Sequence, residues 1–207
     1  MAGESDPVDP AVRRLFALVS EALARATCAL LDRDRDLGQA VVEGDEAIDR
    51  LTEQVEAAIW ERIGPGSSGD GSSVQGELRR DVGILLILPE LERSADLAEH
   101  IAQRALTDLA ASMTPVSRGI VQSMSEIALA MWNSAARAYA DHAGFGIAID
   151  EADDGLDVLH ERLTAEVATG SMSAAVAAQV TLLSRFYERL GDHAVNLARR
   201  IETLTPL

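Results

Sequence analysis

Apolar residues recur at alternating three- and four-residue spacing along nearly the whole chain, and the breaks in that rhythm predict six helices. From Val12 to about Asp32, the residues Val12, Leu15, Phe16, Val19, Leu23, Ala26 and Leu30 share one face. The run Asp32-Arg33-Asp34-Arg35-Asp36 marks a turn or a solvated face. A second helix over about 37–63 places Val41, Ile48, Leu51, Val55 and Ile59 inward, and Gly64-Pro65-Gly66 stops it. A mobile, Gly/Ser-rich loop is expected over 64–76. The third helix, about 77–108, carries Ile84, Leu88, Leu91, Ala95, Ala98, Ala102 and Ala105 as a coiled-coil-like seam. Pro89 lies inside it and predicts a kink one turn before Glu92.

Thr114-Pro115 divides the chain, and the second half repeats the plan with helices near 116–141, 146–168 and 173–204. The last helix has its own seam of Leu183, Leu190, Ala194, Leu197, Ile201 and Leu204. The expected fold is therefore all-α, two tandem three-helix bundles packed as one unit. The first spans residues 11–112 and the second 113–207, after a disordered leader over 1–10 that contains Pro7 and Pro10.

The polar positions show that the second half duplicates the first. Leu91-Glu92-Arg93-Ser94-Ala95-Asp96 returns as Tyr187-Glu188-Arg189-Leu190-Gly191-Asp192, a displacement of 96 residues. Asp45 and Asp49 return as Asp153 and Asp157, a displacement of 108. The difference is taken up by the long loop of the first half, which has only a short counterpart near 169–173. Internal repetition fixes the architecture before any single element does.

Each repeated pair sets two acids four residues apart, hence on one helix face with Cβ atoms about 5–6 Å from each other. Like charges so placed repel by a few tenths of a kcal/mol. One such pair is ordinarily a solvated face; four of them in two copies point to a cation. If Asp45 and Asp49 face Glu92 and Asp96 across neighbouring helices, four carboxylates meet, and Asp153, Asp157, Glu188 and Asp192 form the second set. An oxygen-only ligand set suits hard cations such as magnesium, manganese, calcium or ferric iron rather than a structural zinc.

Composition narrows the function classes. Among 207 residues, 34 Asp and Glu face 18 Lys and Arg, for a net charge of −16. That balance excludes binding to nucleic acid or anionic membrane through general electrostatics. Apolar residues make up 47% but aromatics only 3%, so Ala and Leu build the core, as in closely packed helices. The single cysteine, Cys28, excludes an intrachain disulfide and fits a reducing compartment. No apolar run approaches the roughly 18 residues of a membrane span, and Met1–Pro10 lacks the layout of a secretory signal. A cytoplasmic protein is expected.

The duplicated Leu-Glu-Arg-x-x-Asp and Asp-x-x-x-Asp elements resemble those of the PhoU family of phosphate-signalling proteins. The nearest likeness is Leu183 to Arg200, with Tyr187-Glu188-Arg189-Leu190-Gly191-Asp192-His193 at its centre. Ala98-Glu99-His100-Ile101-Ala102 is similar to the first-repeat motif of actinobacterial members. The first copy departs from the family pattern at Ser94-Ala95, where an apolar-Gly pair is usual, and at His100, where Asn is common. The resemblance implies negative regulation of phosphate uptake and of the phosphate-starvation response. The implied partners are the phosphate-transporter ATPase subunit and a phosphate-sensing histidine kinase, and a homodimer is expected. It also implies multinuclear metal clusters, with iron, manganese, magnesium or zinc as candidates, on the eight acids already named. The alternative is a carboxylate-bridged di-metal enzyme or metal-storage protein.

Other residues offer less. Asp157-Val158-Leu159-His160 has the spacing of half a di-iron site, but the matching first-half residue is Thr52, so His160 reads as a surface side chain. His100 can join an acid site, whereas His193 points elsewhere. Arg93 and Arg189 read as partners of the acids; as phosphate binders they suffer from so acidic a neighbourhood. Cys28, Trp60, Trp132, Phe186 and Tyr187 read as packing residues. No phosphate loop, nucleophile–base pair or zinc pattern is present, so neither a catalytic residue nor an organic-cofactor site is expected.

Overall fold

The structure, a computed structural model, describes residues 7–64, 71–141 and 148–204. Among the described residues it is all-α, with seven helices and no strand. They are α1 Val8–Asp32, α2 Arg35–Ile63, α3 Gly71–Leu106, α4 Leu109–Ser112, α5 Pro115–Asp141, α6 Ile149–Ala168 and α7 Ala174–Leu204. Six match the expected helices. The seventh, α4, is a single turn entered through Asp108, whose φ of 55° lies in the left-handed region. It forms because Leu109 and Ala110 are buried at the end of the first bundle.

Two boundaries differ from expectation. The leader expected over 1–10 gives way to helix at Val8, because Val8 and Val12 are buried in the first turns of α1. Its first six residues lie outside the described ones. Of the loop expected over 64–76, residues 65–70 also lie outside them, and α3 already begins at Gly71. Tertiary packing overrides the weak propensity of Gly and Ser there: Asp81, buried one helical span further on, is held by Arg62 of α2. The acidic–basic run at 32–36 is a turn. Arg33 adopts φ 61°, and Asp34 caps α2 by accepting from the Leu37 amide at 2.9 Å.

Within each half the three long helices pack on one another: α1, α2 and α3 in the first, α5, α6 and α7 in the second. The halves join through α1 on α5 and α3 on α7. Four helices thus form a shared interior, flanked by α2 on one side and α6 on the other. Every predicted seam residue of α1 and α3 is buried, as are Leu183, Leu190, Ala194, Leu197 and Ile201 of α7. Leu204 lies where no side chain is described. α3 continues through Pro89 as helix.

The junction carries most of the large side chains. Phe16 of α1 packs against Trp132 and Tyr139 of α5, with ring centroids 6.5 and 5.3 Å away. Trp132 donates from Nε1 to the Leu190 carbonyl of α7 at 3.2 Å. Asp9 accepts from Arg13 at 2.7 Å, from Arg80 of α3 at 2.5 Å and from Tyr139 at 3.2 Å, so one carboxylate ties α1, α3 and α5. Those partners hold the Asp9 carboxyl below its ordinary value, against a burial effect that pushes it up. Deeper, Thr27 Oγ1 donates to the Leu23 carbonyl at 3.1 Å and accepts from Ser125 at 3.0 Å. With that proton committed, Tyr187 is the donor of the remaining bond to Thr27, at 2.7 Å.

This polar chain joins α1, α5 and α7 in a site where no water substitutes, and its members are not equivalent. Tyr187→Phe removes one donor and leaves Thr27 with Ser125, so a loss of about 1 kcal/mol is expected. Thr27→Val removes the acceptor on which two buried hydroxyls depend, and about 2–3 kcal/mol is expected. Urea unfolding of the two variants checks the order; a larger loss for Tyr187→Phe contradicts the assigned donor pattern.

Candidate metal centres

The acids are delivered by the same apolar rhythm that builds the core. On α2, buried Val41, Ile48 and Thr52 bracket Asp45 and Asp49, which are half-buried at the edge of the α2–α3 interface. On α3, buried Leu91, Ala95 and Ala98 bracket Glu92 and Asp96, the first exposed and the second half-buried. The second half repeats this with Asp153 half-buried and Asp157 exposed on α6, beside Glu188 half-buried and Asp192 exposed on α7.

Electrostatics show which acids feel one another. Burial, then the charges of Asp49, Glu99 and Asp96, pushes the Asp45 carboxyl up to about 7, with His100 opposing. Asp49 is raised by burial and by Asp96, and Glu92 by burial, Asp49 and Asp96. All four predicted acids of the first half therefore share one field across α2 and α3. In the second half, burial and the charges of Asp192 and Asp157 push Asp153 up to about 6. Asp153, Asp157 and Asp192 are brought together there; Glu188 is drawn aside by Arg185 of its own helix, at 2.5 Å.

The difference at Glu188 follows from one exchange between the repeats. Arg185 stands where the first half has Pro89, so Glu92 has no cation one turn before it. A second exchange sets the helix spacing. Gly191 stands where the first half has Ala95, and a Cβ added there would meet Leu156 Cδ1 at 2.6 Å and Asp153 Oδ1 at 2.7 Å. The missing methyl lets the Asp153 carboxylate lie directly over the backbone of α7.

Several neighbours were not singled out by the repeat. Glu99 acts on Asp45, Glu53 and Glu46 on Asp49, Glu56 on Glu92, and Asp150 and Asp154 on Asp153. Helical spacing reveals Glu99, one turn past Asp96, but its counterpart is Val195, so duplication passes over it. Among the described residues, no group of three or more His, Cys, Asp or Glu side chains is drawn together tightly enough to hold an ion. The carboxylates nonetheless fit a hard cation in donor type and charge. They are oxygen donors, and burial together with neighbouring acids pushes two of them, Asp45 and Asp153, up to about 7 and about 6.

Of the remaining candidates, His193 points away from the acids as expected, and several others differ from expectation. Arg93 pairs with buried Glu90 at 3.1 Å rather than with Glu92 or Asp96. Arg189 makes no hydrogen bond or ion pair among the described residues. His100 is exposed and donates from Nδ1 to the Asp96 carbonyl at 2.5 Å. His193 turns toward α3: Ser94 donates to the Glu90 carbonyl at 2.7 Å and accepts from His193 Nδ1 at 2.8 Å. Burial pushes that imidazole below its ordinary value. His160 is half-buried and hydrogen-bonded to buried Ser184 at 2.8 Å, not a surface side chain, because Ser184 presents a hydroxyl to it across α6 and α7. Cys28 is exposed rather than core, and so is Trp60, 56% exposed, whose indole donates to Glu56 at 3.2 Å. Both sit one step off the apolar face of their helix.

An all-helical duplicate with acid pairs facing each other across the second and third helix of each half is a distinct structural class. The family model of the PhoU domain matches twice, over residues 12–105 and 121–201, and the chain belongs to the PhoU family. It is 34% identical over 191 residues to the phosphate-specific transport system accessory protein PhoU homolog 2 of Mycobacterium tuberculosis, covering 90% of this chain and 87% of that protein. A PhoU homolog of Aquifex aeolicus is 31% identical over 184 residues, covering 86% of this chain and 80% of that protein. In fold the chain is similar to the crystal structure of PhoU from Pseudomonas aeruginosa, with a TM-score of 0.84 at 23% identity over 95% of this chain and 94% of that one.

The raised carboxyls have a sign that can be measured. Native Asp45 keeps its proton up to about pH 7, whereas the unfolded chain releases it near 3.8. Between those values the native state binds more protons, so this group makes stability fall as pH rises through the window. In metal-free buffer, Asp45→Asn is expected to raise the melting temperature at pH 8 and to have little effect at pH 4. Thermal melts across that range check it; an equal effect at both ends rules out the carboxylate field described here.

Proposed function

We propose that this protein is a regulatory accessory of a phosphate transport system that represses phosphate uptake and the starvation response through protein contacts. The observation that carries the reading is the duplicated family match over nearly the whole chain, joined to relatives named as accessory proteins of phosphate-specific transport. Among the described residues no helix is long and apolar enough to cross a membrane, so contact with a transporter would be made from outside the bilayer. The partners in this reading are the transporter's ATPase subunit and a phosphate-sensing histidine kinase, met in the cytoplasm by exposed helix faces of a homodimer. No catalytic step is assigned to the chain.

Metal enters as part of the same reading. Asp45, Asp49, Glu92 and Asp96 would hold a cation in the first half, and Asp153, Asp157 and Asp192 in the second. Glu188 joins them where the cation competes successfully with Arg185. A bound manganese or ferric ion supplies the positive charge that these facing helices lack. Arg185 beside Glu188 and Arg93 next to Glu92 remain the local cationic groups that set how strongly the acids attract it.

Deletion of the gene in the native host, with a phosphate-starvation promoter fused to a reporter, tests the regulatory role. Derepression in phosphate-replete medium, restored to repression by the intact gene, is expected; a reporter that stays silent after deletion sinks the proposal. The metal has a separate test. A cation that binds the folded chain adds RT ln(1 + [L]/Kd) to stability, about 2.7 kcal/mol at one hundred times Kd. Asp96→Asn combined with Asp192→Asn is expected to erase most of the manganese-induced rise in melting temperature. Without metal the pair is expected to be neutral or slightly stabilising. Equal manganese-induced shifts in wild type and variant return these acids to an ordinary solvated face.

A further inference from the structure

The two copies of the Glu-Arg-x-x-x-Asp motif do not open onto separate surfaces. A groove of about 720 Å³ runs across the junction of α3 and α7, and both copies line it. Its walls hold Arg93 and Asp96 from the first copy and their counterparts Arg189 and Asp192 from the second. Asp153 of α6 and Arg199 of α7 complete the charged lining. The groove therefore touches both acid sets, the first through Asp96 and the second through Asp153 and Asp192. Its volume lies within the roughly 300–1,000 Å³ of small-molecule sites and exceeds what a single ion needs.

The charges in this groove select its occupant. Three guanidinium groups disfavour a bare cation, and three carboxylates disfavour a bare anion. A ligand that brings both signs satisfies both sets: a divalent cation chelated to phosphate oxygens. Arg189 and Arg199 are exposed and make no hydrogen bond or ion pair among the described residues, so their forks are open to a ligand. Arg93 is engaged with Glu90 at 3.1 Å, but Glu90 has a second cation in Arg200 at 3.3 Å, so Arg93 can turn without stranding it. Guanidinium matches phosphate in geometry as well as charge, through paired N–H donors. One wall is aromatic, with the His100 and Phe186 rings 5.5 Å apart.

We propose that the groove across α3 and α7 binds a condensed phosphate carried with divalent cations. Arg93, Arg189 and Arg199 take the phosphate oxygens, while Asp96, Asp153 and Asp192 face the cations. One groove presents both acid sets to a single ligand, and its volume exceeds what orthophosphate needs, which favours a chain of two or three phosphates. The proposal rests on the cation reading of the acids given above. Inorganic polyphosphate and a nucleoside triphosphate share this chemistry.

Calorimetric titration of the full chain with tripolyphosphate, ATP and orthophosphate, each with and without manganese, tests it. Wild type is expected to bind tripolyphosphate with manganese and to lose that binding when manganese is omitted. Arg189→Gln with Arg199→Gln, both at exposed positions, is expected to weaken it at least about tenfold, the worth of roughly 1.4 kcal/mol. The same variant is expected to keep its affinity for manganese alone. ATP binding more tightly than tripolyphosphate identifies a nucleotide; equal affinity identifies the inorganic chain. Unchanged affinity in the arginine variant, manganese-independent binding, or orthophosphate binding as tight as tripolyphosphate overturns the proposal. Wild type that fails to take up manganese alone counts against the cation reading. Wild type that takes it up and ignores tripolyphosphate counts against the groove alone.

Discussion

The close packing of α3 on α7 is the constraint on which the rest depends. Each motif helix is embraced by three others, α3 by α1, α2 and α7, and α7 by α5, α6 and α3. So much enclosure is possible only because both seams are rich in small residues: Ala95, Ala98, Ala102 and Ala105 on one, Ala194 and Ala198 on the other, all buried. Small side chains bring backbones close and shorten the distance across which acids at the seam edge feel one another. Carboxylate repulsion between α2 and α3, and between α6 and α7, is therefore a by-product of good core packing. The hydrophobic burial of dozens of side chains outweighs it, and the acids remain as a local tension that a cation can relieve.

Much of this was legible in the chain because apolar periodicity is a one-dimensional trace of a helix face. Val12, Leu15, Phe16 and Val19 announced α1 directly, and the displacements of 96 and 108 residues announced the duplication. The acid sets were legible for the same reason, since a residue four positions from another shares its face. What stayed hidden depends on contacts between halves. Nothing local to Ser94 or His193 marks them as partners across 99 positions, and nothing near Thr27 announces Tyr187, 160 residues away. Helical spacing sets the face of Glu188 but does not reveal its ion pair with Arg185, one turn earlier.

The two halves are copies with different emphases. The first has Pro89 before its motif, an alanine at the helix contact and an additional acid, Glu99. The second has Arg185, a glycine that lets α6 approach, and no acid at the Glu99 position. In the second half Arg185 pairs with the motif acid Glu188, whereas in the first Arg93 stands next to Glu92 but pairs with Glu90.

The junction between the halves pairs like with like. α1 meets α5 and α3 meets α7, so each helix at the junction touches its own counterpart. That self-matching pattern is the signature of a two-fold interface between identical subunits. A single repeat standing alone would leave Phe16 or Trp132, and Thr27 or Tyr187, facing water. Each repeat is thus completed by the other, and the covalent link makes intramolecular an encounter that separate subunits would have to make by collision. Copies so joined need not stay alike, and the groove between them is walled by two motifs that differ.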